Sequence, residues 1–117
     1  MRVILFDIDG TLVSTGGAGV KAFGEAFEAA FGITNATEKT TFAGRTDYSL
    51  FRELCQCNHV DFSVSNRNLF FKHYIELVDN YLDVSEGGPF PGVIKMLDDL
   101  SSVKSAPLIG LLTGNIE

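Results

Sequence analysis

A short apolar run near the N-terminus stops abruptly at two carboxylates, and this feature constrains what the chain can fold into. Val3 to Phe6 are four consecutive apolar residues without helical spacing, and Gly10 follows soon after them. Such a run is typical of a strand that is buried on both faces of a parallel α/β sheet. Asp7 then lies at the carboxyl end of the strand, which is the edge where open α/β sheets bind ligands. We therefore expect chemistry at this edge.

Asp7 and Asp9 are separated by one residue, so an extended backbone points both carboxylates to the same side. A D-x-D pair can cap a turn or hold a cation. Its position, directly after a buried-type strand and before Gly10, favours the cation. Two ionised carboxylates this close repel each other, and Mg²⁺ is a hard ion that takes oxygen ligands. The sequence therefore predicts that Asp7 and Asp9 are magnesium ligands.

The composition excludes several classes of function. The chain has 117 residues, 45% of them hydrophobic, which suits one globular unit with a real core. A formal net charge of −6 argues against a nucleic-acid-binding or membrane-binding surface that works by electrostatic attraction. The N-terminal apolar stretch is too short for a signal peptide, and no later run is long enough to span a membrane. We expect a cytoplasmic protein.

Three segments after the first strand show apolar residues at helical spacing, and each has a start or stop signal. The first ends at Gly32, the second opens at Thr46 or Asp47, and the third follows a capping segment between Asp61 and Ser65. Because no strand lies between them, the three helices should form a bundle of their own. The predicted inward positions are Val20, Phe23, Phe27, Ala30 and Phe31, then Leu50, Phe51, Leu54 and Cys55, and finally Phe70, Tyr74, Leu77, Val78 and Tyr81.

Two glycine-rich segments, 16–19 and 87–92, bracket this helical insert. They are consistent with the hinges of a lid or with ordinary loops, and composition alone does not separate the two. We predict a core domain from residues 1–15 and 87–117 and a helical subdomain from residues 16–86. Cys55 and Cys57 lie in the second helix, where neighbouring side chains diverge, so we expect free thiols that are buried or half-buried.

A fourth helix from about Pro91 leads into a second apolar run, Leu108 to Leu112, which has strand character. Strand, crossover helix and strand predict a parallel pair, so that Thr113 reaches the same sheet edge as Asp7. The hydroxyl, glycine amide and carboxamide of Thr113, Gly114 and Asn115 are groups that can hold phosphate oxygens there.

At these residues the chain resembles a known family. The segment from Asp7 to Leu12, D-I-D-G-T-L, resembles the first motif of the haloacid dehalogenase-like hydrolase superfamily, whose phosphatases read D-x-D-G-T-[LV]. The resemblance implies that Asp7 is the nucleophile that becomes an aspartyl-phosphate, that Asp9 is the general acid and base, and that Mg²⁺ is bound. The run ending in T-G-N is similar to the second motif, which implies that Thr113 binds the transferring phosphoryl group.

The fold implied is α/β: a partial Rossmann-like core of parallel strands with an inserted α-helical cap. The segment from Phe42 to Asp47 resembles the cap loop of phosphoglycolate phosphatase-like members. Arg45 in this loop would meet a substrate carboxylate or phosphate there, or it is a solvated surface arginine, and both interpretations stay open.

The resemblance implies a Mg²⁺-dependent phosphomonoesterase of small phosphorylated metabolites, with a phosphoglycolate-like substrate. No counterpart of the family's third-motif lysine or fourth-motif acidic pair occurs up to Glu117, so we expect a fragment with little or no turnover alone. The alternatives are a phosphomutase of the same family and a non-catalytic interaction or phospho-acceptor module. The unpaired edges of a two-stranded sheet also predict self-association.

Overall fold

The computed structural model describes residues 1–84 and 86–115, which divide into two compact units. The first contains Met1–Gly16 and Glu86–Thr113, and the second contains residues 17–84 together with Gly114 and Asn115. The boundary before the helices thus lies between Gly16 and Gly17. The elements in chain order are β1 (Val3–Phe6), β2 (Val13–Ser14), α1 (Ala18–Phe31), α2 (Asp47–Cys57), α3 (Val64–Val84), β3 (Gly88–Pro89), α4 (Val93–Ser102) and β4 (Leu108–Leu111).

The first unit is organised by the parallel pair that the sequence predicts. β1 and β4 are neighbours, with Val3 opposite Leu108 and Phe6 opposite Leu111. The pairing extends one residue past the strands, because the Leu112 amide donates to the Phe6 carbonyl oxygen at 2.8 Å. The helix α4 precedes β4, so the expected order of strand, crossover helix and strand is confirmed.

A second, smaller ladder joins β2 and β3, and the sequence did not predict it. Val13 pairs with Pro89 and Ser14 with Gly88 in antiparallel orientation. Gly87 passes so close to this ladder that a Cβ atom there would overlap the carbonyl oxygen of Ser14. Strands of two residues have no periodicity to detect, and β3 consists of glycine and proline, which are uncommon in strands, so only the folded chain shows this pairing.

The prediction that the first strand is buried on both faces is wrong for the described part of the chain. Val3 and Leu5 are 56% and 57% exposed, whereas Ile4 and Phe6 are half-buried. The helix α4 has no buried residue, and Leu12 is the one buried hydrophobic side chain among the described residues of this unit. A strand is buried on both faces only when other elements cover both, and the described part of this unit has one helix, α4, besides its strands.

The second unit contains three helices whose ends follow the predicted signals. Gly32 ends α1 in the left-handed conformation at φ 69°, and its amide donates to the Glu28 carbonyl oxygen. Thr46 caps α2, with its side-chain oxygen accepting the Ser49 amide at 3.2 Å. Within residues 1–84 and 86–115, no helix is both long and apolar enough to cross a membrane.

Aromatic rings form the core of the helical unit. Phe70 lies at its centre, fully buried, stacked on Phe51 at 4.6 Å between centroids and edge-on to Phe23 at 4.7 Å. The predicted inward positions are buried or half-buried except Val20, which is 45% exposed, so that position is corrected. The buried cluster comprises Ala22, Phe23, Ala26, Phe27, Leu50, Phe51, Leu54, Cys55, Phe70, Phe71 and Tyr74.

The two cysteines are free but differ in environment. Cys55 is buried in the aromatic core, and this burial raises the pKa of its thiol to about 11. Cys57 is exposed at the end of α2, so the prediction that both thiols are at least half-buried is wrong for Cys57. Its side chain points away from the core because residues two apart on a helix lie about 200° apart around the axis.

Candidate active site

The carboxylates of Asp7 and Asp9 directly follow β1 and are exposed to solvent. The hydroxyl group of Thr11 donates a hydrogen bond to Asp7 Oδ2 at 3.0 Å. This bond ties one oxygen of the Asp7 carboxylate to the turn that follows and so limits rotation of the carboxylate. Thr11 is a residue of the site that the sequence analysis left without a role, although its place four residues after Asp7 on a tight turn could have suggested the bond.

A compact turn holds the backbone around these side chains. The carbonyl oxygen of Ile8 lies within hydrogen-bond distance of three successive amides, those of Thr11, Leu12 and Val13, at 3.2, 2.9 and 3.2 Å. Gly10 adopts a positive φ of 75°, and its amide donates to the Val13 carbonyl oxygen at 2.9 Å. A side chain at this position would strain the turn, which explains the glycine. Leu12 is buried and anchors the loop to the unit.

Thr113 reaches the same edge of the sheet from the neighbouring strand. Leu111 is opposite Phe6, and the two strands run parallel, so the residues that follow each strand emerge side by side. Thr113 is exposed, as are Asp7 and Asp9. The first unit therefore places two carboxylates and a hydroxyl at the carboxyl edge of β1 and β4, the edge where ligands bind in sheets of this kind.

The two other residues predicted to bind phosphate belong to the helical unit. The carbonyl oxygen of Gly114 accepts the backbone amide of Asp47, the first residue of α2, at 3.0 Å. A Cβ atom on Gly114 would lie 2.9 Å from the carbonyl oxygen of Arg45, which is closer than real Cβ atoms approach. Glycine at this position thus allows a close backbone contact inside the helical unit, and the phosphate-binding role of Gly114 and Asn115 stays a prediction.

Arg45, the predicted substrate contact, has partners within its own unit. Its guanidinium forms an ion pair with Glu53 and donates to the carbonyl oxygens of Thr41 at 3.5 Å and Ser49 at 3.4 Å. The side chain is 28% exposed. These contacts tie the loop before α2 to the first turns of that helix, which neither interpretation from the sequence anticipated. Whether Arg45 also contacts a substrate stays a prediction.

The donor chemistry at the strand edge fits part of a magnesium site. Mg²⁺ is commonly held by one or two carboxylates, with substrate phosphates and water completing its six ligands, and Asp7 and Asp9 supply such carboxylates. Among residues 1–84 and 86–115, no group of three or more histidine, cysteine, aspartate or glutamate side chains is arranged to hold a metal ion. The pair is therefore a partial ligand set within the described residues.

The motifs and the fold are those of a hydrolase family, and comparison with known proteins identifies the same family. Residues 4–116 match the family described as haloacid dehalogenase-like hydrolase, so the chain belongs to that family. The fold is similar to the crystal structure of a predicted phosphoglycolate phosphatase from Haemophilus somnus 129PT, with a TM-score of 0.71 and 17% sequence identity. No curated protein matches the chain.

The structural match covers 98% of this chain and 52% of the Haemophilus protein. The chain therefore spans about half the length of that structure. At this level of identity the likeness concerns the fold, which is a mixed α/β arrangement with a parallel strand pair and four helices.

Proposed function

We propose that this chain carries the nucleophile of a phosphomonoesterase that acts on small phosphorylated metabolites. The observation that supports the proposal most directly is the convergence of Asp7, Asp9 and Thr113 at one edge of the β1–β4 sheet. Membership of a hydrolase family agrees with hydrolysis as the reaction.

In this proposal an oxygen of the Asp7 carboxylate attacks phosphorus and forms an acyl phosphate. The bond from phosphorus to the substrate alcohol breaks, and Asp9 gives a proton to the departing oxygen. Asp9 then takes a proton from water as the water attacks phosphorus, which releases phosphate and restores the Asp7 carboxylate. The hydrogen bond from Thr11 to Asp7 Oδ2 orients the nucleophile before attack. The Thr113 hydroxyl donates to a phosphoryl oxygen.

Asp7 and Asp9 are the residues that would hold Mg²⁺, whose positive charge would offset the repulsion between the carboxylates and the phosphate. We propose a phosphoglycolate-like substrate for two reasons. The loop that contains Arg45 resembles the cap loop of phosphoglycolate phosphatase-like members, and the Haemophilus protein is a predicted phosphoglycolate phosphatase. A cytoplasmic location remains part of the proposal.

We further propose that these 117 residues alone turn over slowly. The described residues contain two carboxylates at the strand edge but no group of three metal-ligand side chains. Lys95 lies in α4 and pairs with Asp99 at 2.5 Å, so its charge is already engaged by a carboxylate. An incomplete set of charges around a phosphate binds it weakly and stabilises its transition state poorly.

The test measures phosphate release by the full-length protein from a panel of small phosphate esters, with and without Mg²⁺. Replacing Asp7 with asparagine should reduce kcat by about a thousandfold or more. Asp98→Asn, a matched change on the exposed face of α4, should leave the rate unchanged. Equal rates for the two variants would refute the role of Asp7.

Two other products would redirect the proposal. Transfer of the phosphoryl group to a sugar phosphate, in preference to water, would identify a phosphomutase. A stable acyl phosphate on Asp7 without release of phosphate would identify a phospho-acceptor module.

A further inference from the structure

Two arginine side chains, one exposed and one half-buried, lie against two exposed aromatic rings on the helical unit. Tyr48 of α2 is 52% exposed, and Phe62, just before α3, is 50% exposed. The guanidinium carbon of Arg67 lies 5.6 Å from the ring centroid of Tyr48, and that of Arg52 lies 5.8 Å from the ring centroid of Phe62. We call these four residues the arginine–aromatic patch.

The two halves of the patch lie over neighbouring rings of the buried core. Tyr48 contacts Phe71 at 5.1 Å between centroids, Phe71 contacts Phe51 at 5.7 Å, and Phe51 contacts Phe62 at 5.8 Å. Tyr48 and Arg52 are four residues apart on α2 and so lie on the same helix face. Phe51 and Phe71 are buried in the aromatic core, so the exposed side chains rest on a rigid support.

The charge of this patch is opposite to that of the chain as a whole. The sequence has 15 acidic and 9 basic residues, yet among the described residues neither Arg52 nor Arg67 has a carboxylate within ion-pair distance. Arg45, by contrast, is paired with Glu53. A guanidinium that packs its face on a ring keeps its N–H groups, which lie in the plane, available for a carboxylate, and both guanidinium carbons lie within 6 Å of a ring centroid.

We propose that the arginine–aromatic patch is a docking site for an acidic segment of another protein. Carboxylates of that segment would form bidentate pairs with Arg52 and Arg67, and an apolar side chain between them would pack on Tyr48 and Phe62. Tyrosine and arginine on a rigid support are the residue types that dominate binding energy at protein interfaces. This inference goes beyond the proposed phosphatase activity and does not depend on it.

Charge decides between an acidic protein segment and other anionic partners. Membrane surfaces and nucleic acids are recognised by larger basic clusters, typically about four to eight lysines and arginines for anionic lipid, and this patch has two in a chain of net charge −6. An acidic peptide that also offers an apolar anchor matches both the charge and the exposed rings.

The experiment measures binding of a fluorescent synthetic peptide that carries glutamates on one face of a helix and leucines on the adjoining face. The double variant R52Q/R67Q should bind it about tenfold more weakly than the parent chain, as expected for loss of interface arginines. The control K39Q/K72Q removes the same charge from exposed positions of the helical unit and should bind within about twofold of the parent. Binding by the parent should weaken as salt is raised.

Several outcomes would overturn the proposal. These are absence of peptide binding, equal loss in both double variants, or equally strong binding of a glutamate peptide without leucine. Arginine-dependent binding to vesicles of anionic lipid, or arginine-dependent self-association without peptide, would assign the patch to a membrane or to a second copy instead. Circular dichroism checks the fold of each variant. If R52Q/R67Q does not fold, R52K/R67K replaces it. The lysines keep the charge but lack the planar guanidinium, so this variant should still bind the peptide more weakly than the parent.

Discussion

Replacing Phe70 with alanine tests whether the aromatic cluster is what stabilises this chain. Phe70 is fully buried and its ring contacts those of Phe23, Phe27, Phe51, Phe71 and Tyr74. Truncating a buried phenylalanine removes its transfer free energy and leaves a cavity, which together cost about 3–5 kcal/mol. The rings around Phe70 belong to three helices and constrain one another, so little of the cavity can collapse.

That cost is comparable with the whole stability of the helical unit. At about 0.05–0.15 kcal/mol per residue, a unit of about 70 residues has a free energy of unfolding of roughly 3–10 kcal/mol. Phe70→Ala should therefore leave the unit marginally stable or unfolded. Phe70→Leu keeps most of the volume and should cost under about 1.5 kcal/mol.

Urea unfolding followed by far-ultraviolet circular dichroism measures these changes, because most of the helical residues lie in this unit. Leu69→Ala is the matched control, since Leu69 is adjacent on α3 but 41% exposed, and it should cost less than about 1 kcal/mol. If Phe70→Ala shifts the midpoint no more than Leu69→Ala does, the aromatic cluster is not the stabilising core.

Three further predictions concern other parts of the molecule. Iodoacetamide should label Cys57 and spare Cys55 in the folded chain. The free energy of unfolding should decline from pH 9 to about 11, because the folded state keeps the Cys55 proton more tightly than the unfolded chain does, and Cys55→Ala should reduce that pH dependence. Glu53→Gln should lower the free energy of unfolding by about 0.5–1 kcal/mol through loss of the ion pair with Arg45, and an equal loss in high salt would contradict an ionic origin. Sedimentation velocity should show concentration-dependent self-association through the exposed edges of the β1–β4 sheet, and Leu111→Lys should suppress it. A monomer at every concentration would refute this prediction.

Structure could be predicted best from the sequence where a local signal decides it. The second helix was expected to open at Thr46 or Asp47, and α2 begins at Asp47 with Thr46 as its cap, because the Thr46 side chain can satisfy a free amide of the first turn without help from distant residues. The inward face of α2 follows the helical repeat in the same way. The parallel pairing of β1 with β4 could also be inferred, since a crossover through α4 leaves few other arrangements.

Prediction was wrong, or had nothing to offer, where the answer depends on what lies next to an element in space. Val3 and Leu5 have the composition of buried strand residues, but their exposure depends on which elements cover the sheet. Arg45 could be assigned to a loop, but its pairing with Glu53 requires the loop to fold back on α2. The hydrogen bond from Thr11 to Asp7 likewise depends on the turn closing.

Two levels of structure thus account for this chain. Residue order alone determines that an apolar strand ends at Asp7 and Asp9, that three amphipathic helices follow, and that a second strand leads to Thr113, because these features arise from repeats and turn signals within a few residues. The tertiary structure decides that the aromatic rings meet around Phe70, that the described core lies mainly in the helical unit, and that an arginine–aromatic patch remains on its surface. Those outcomes depend on contacts between residues far apart in the chain, and such contacts exist only once the chain has folded.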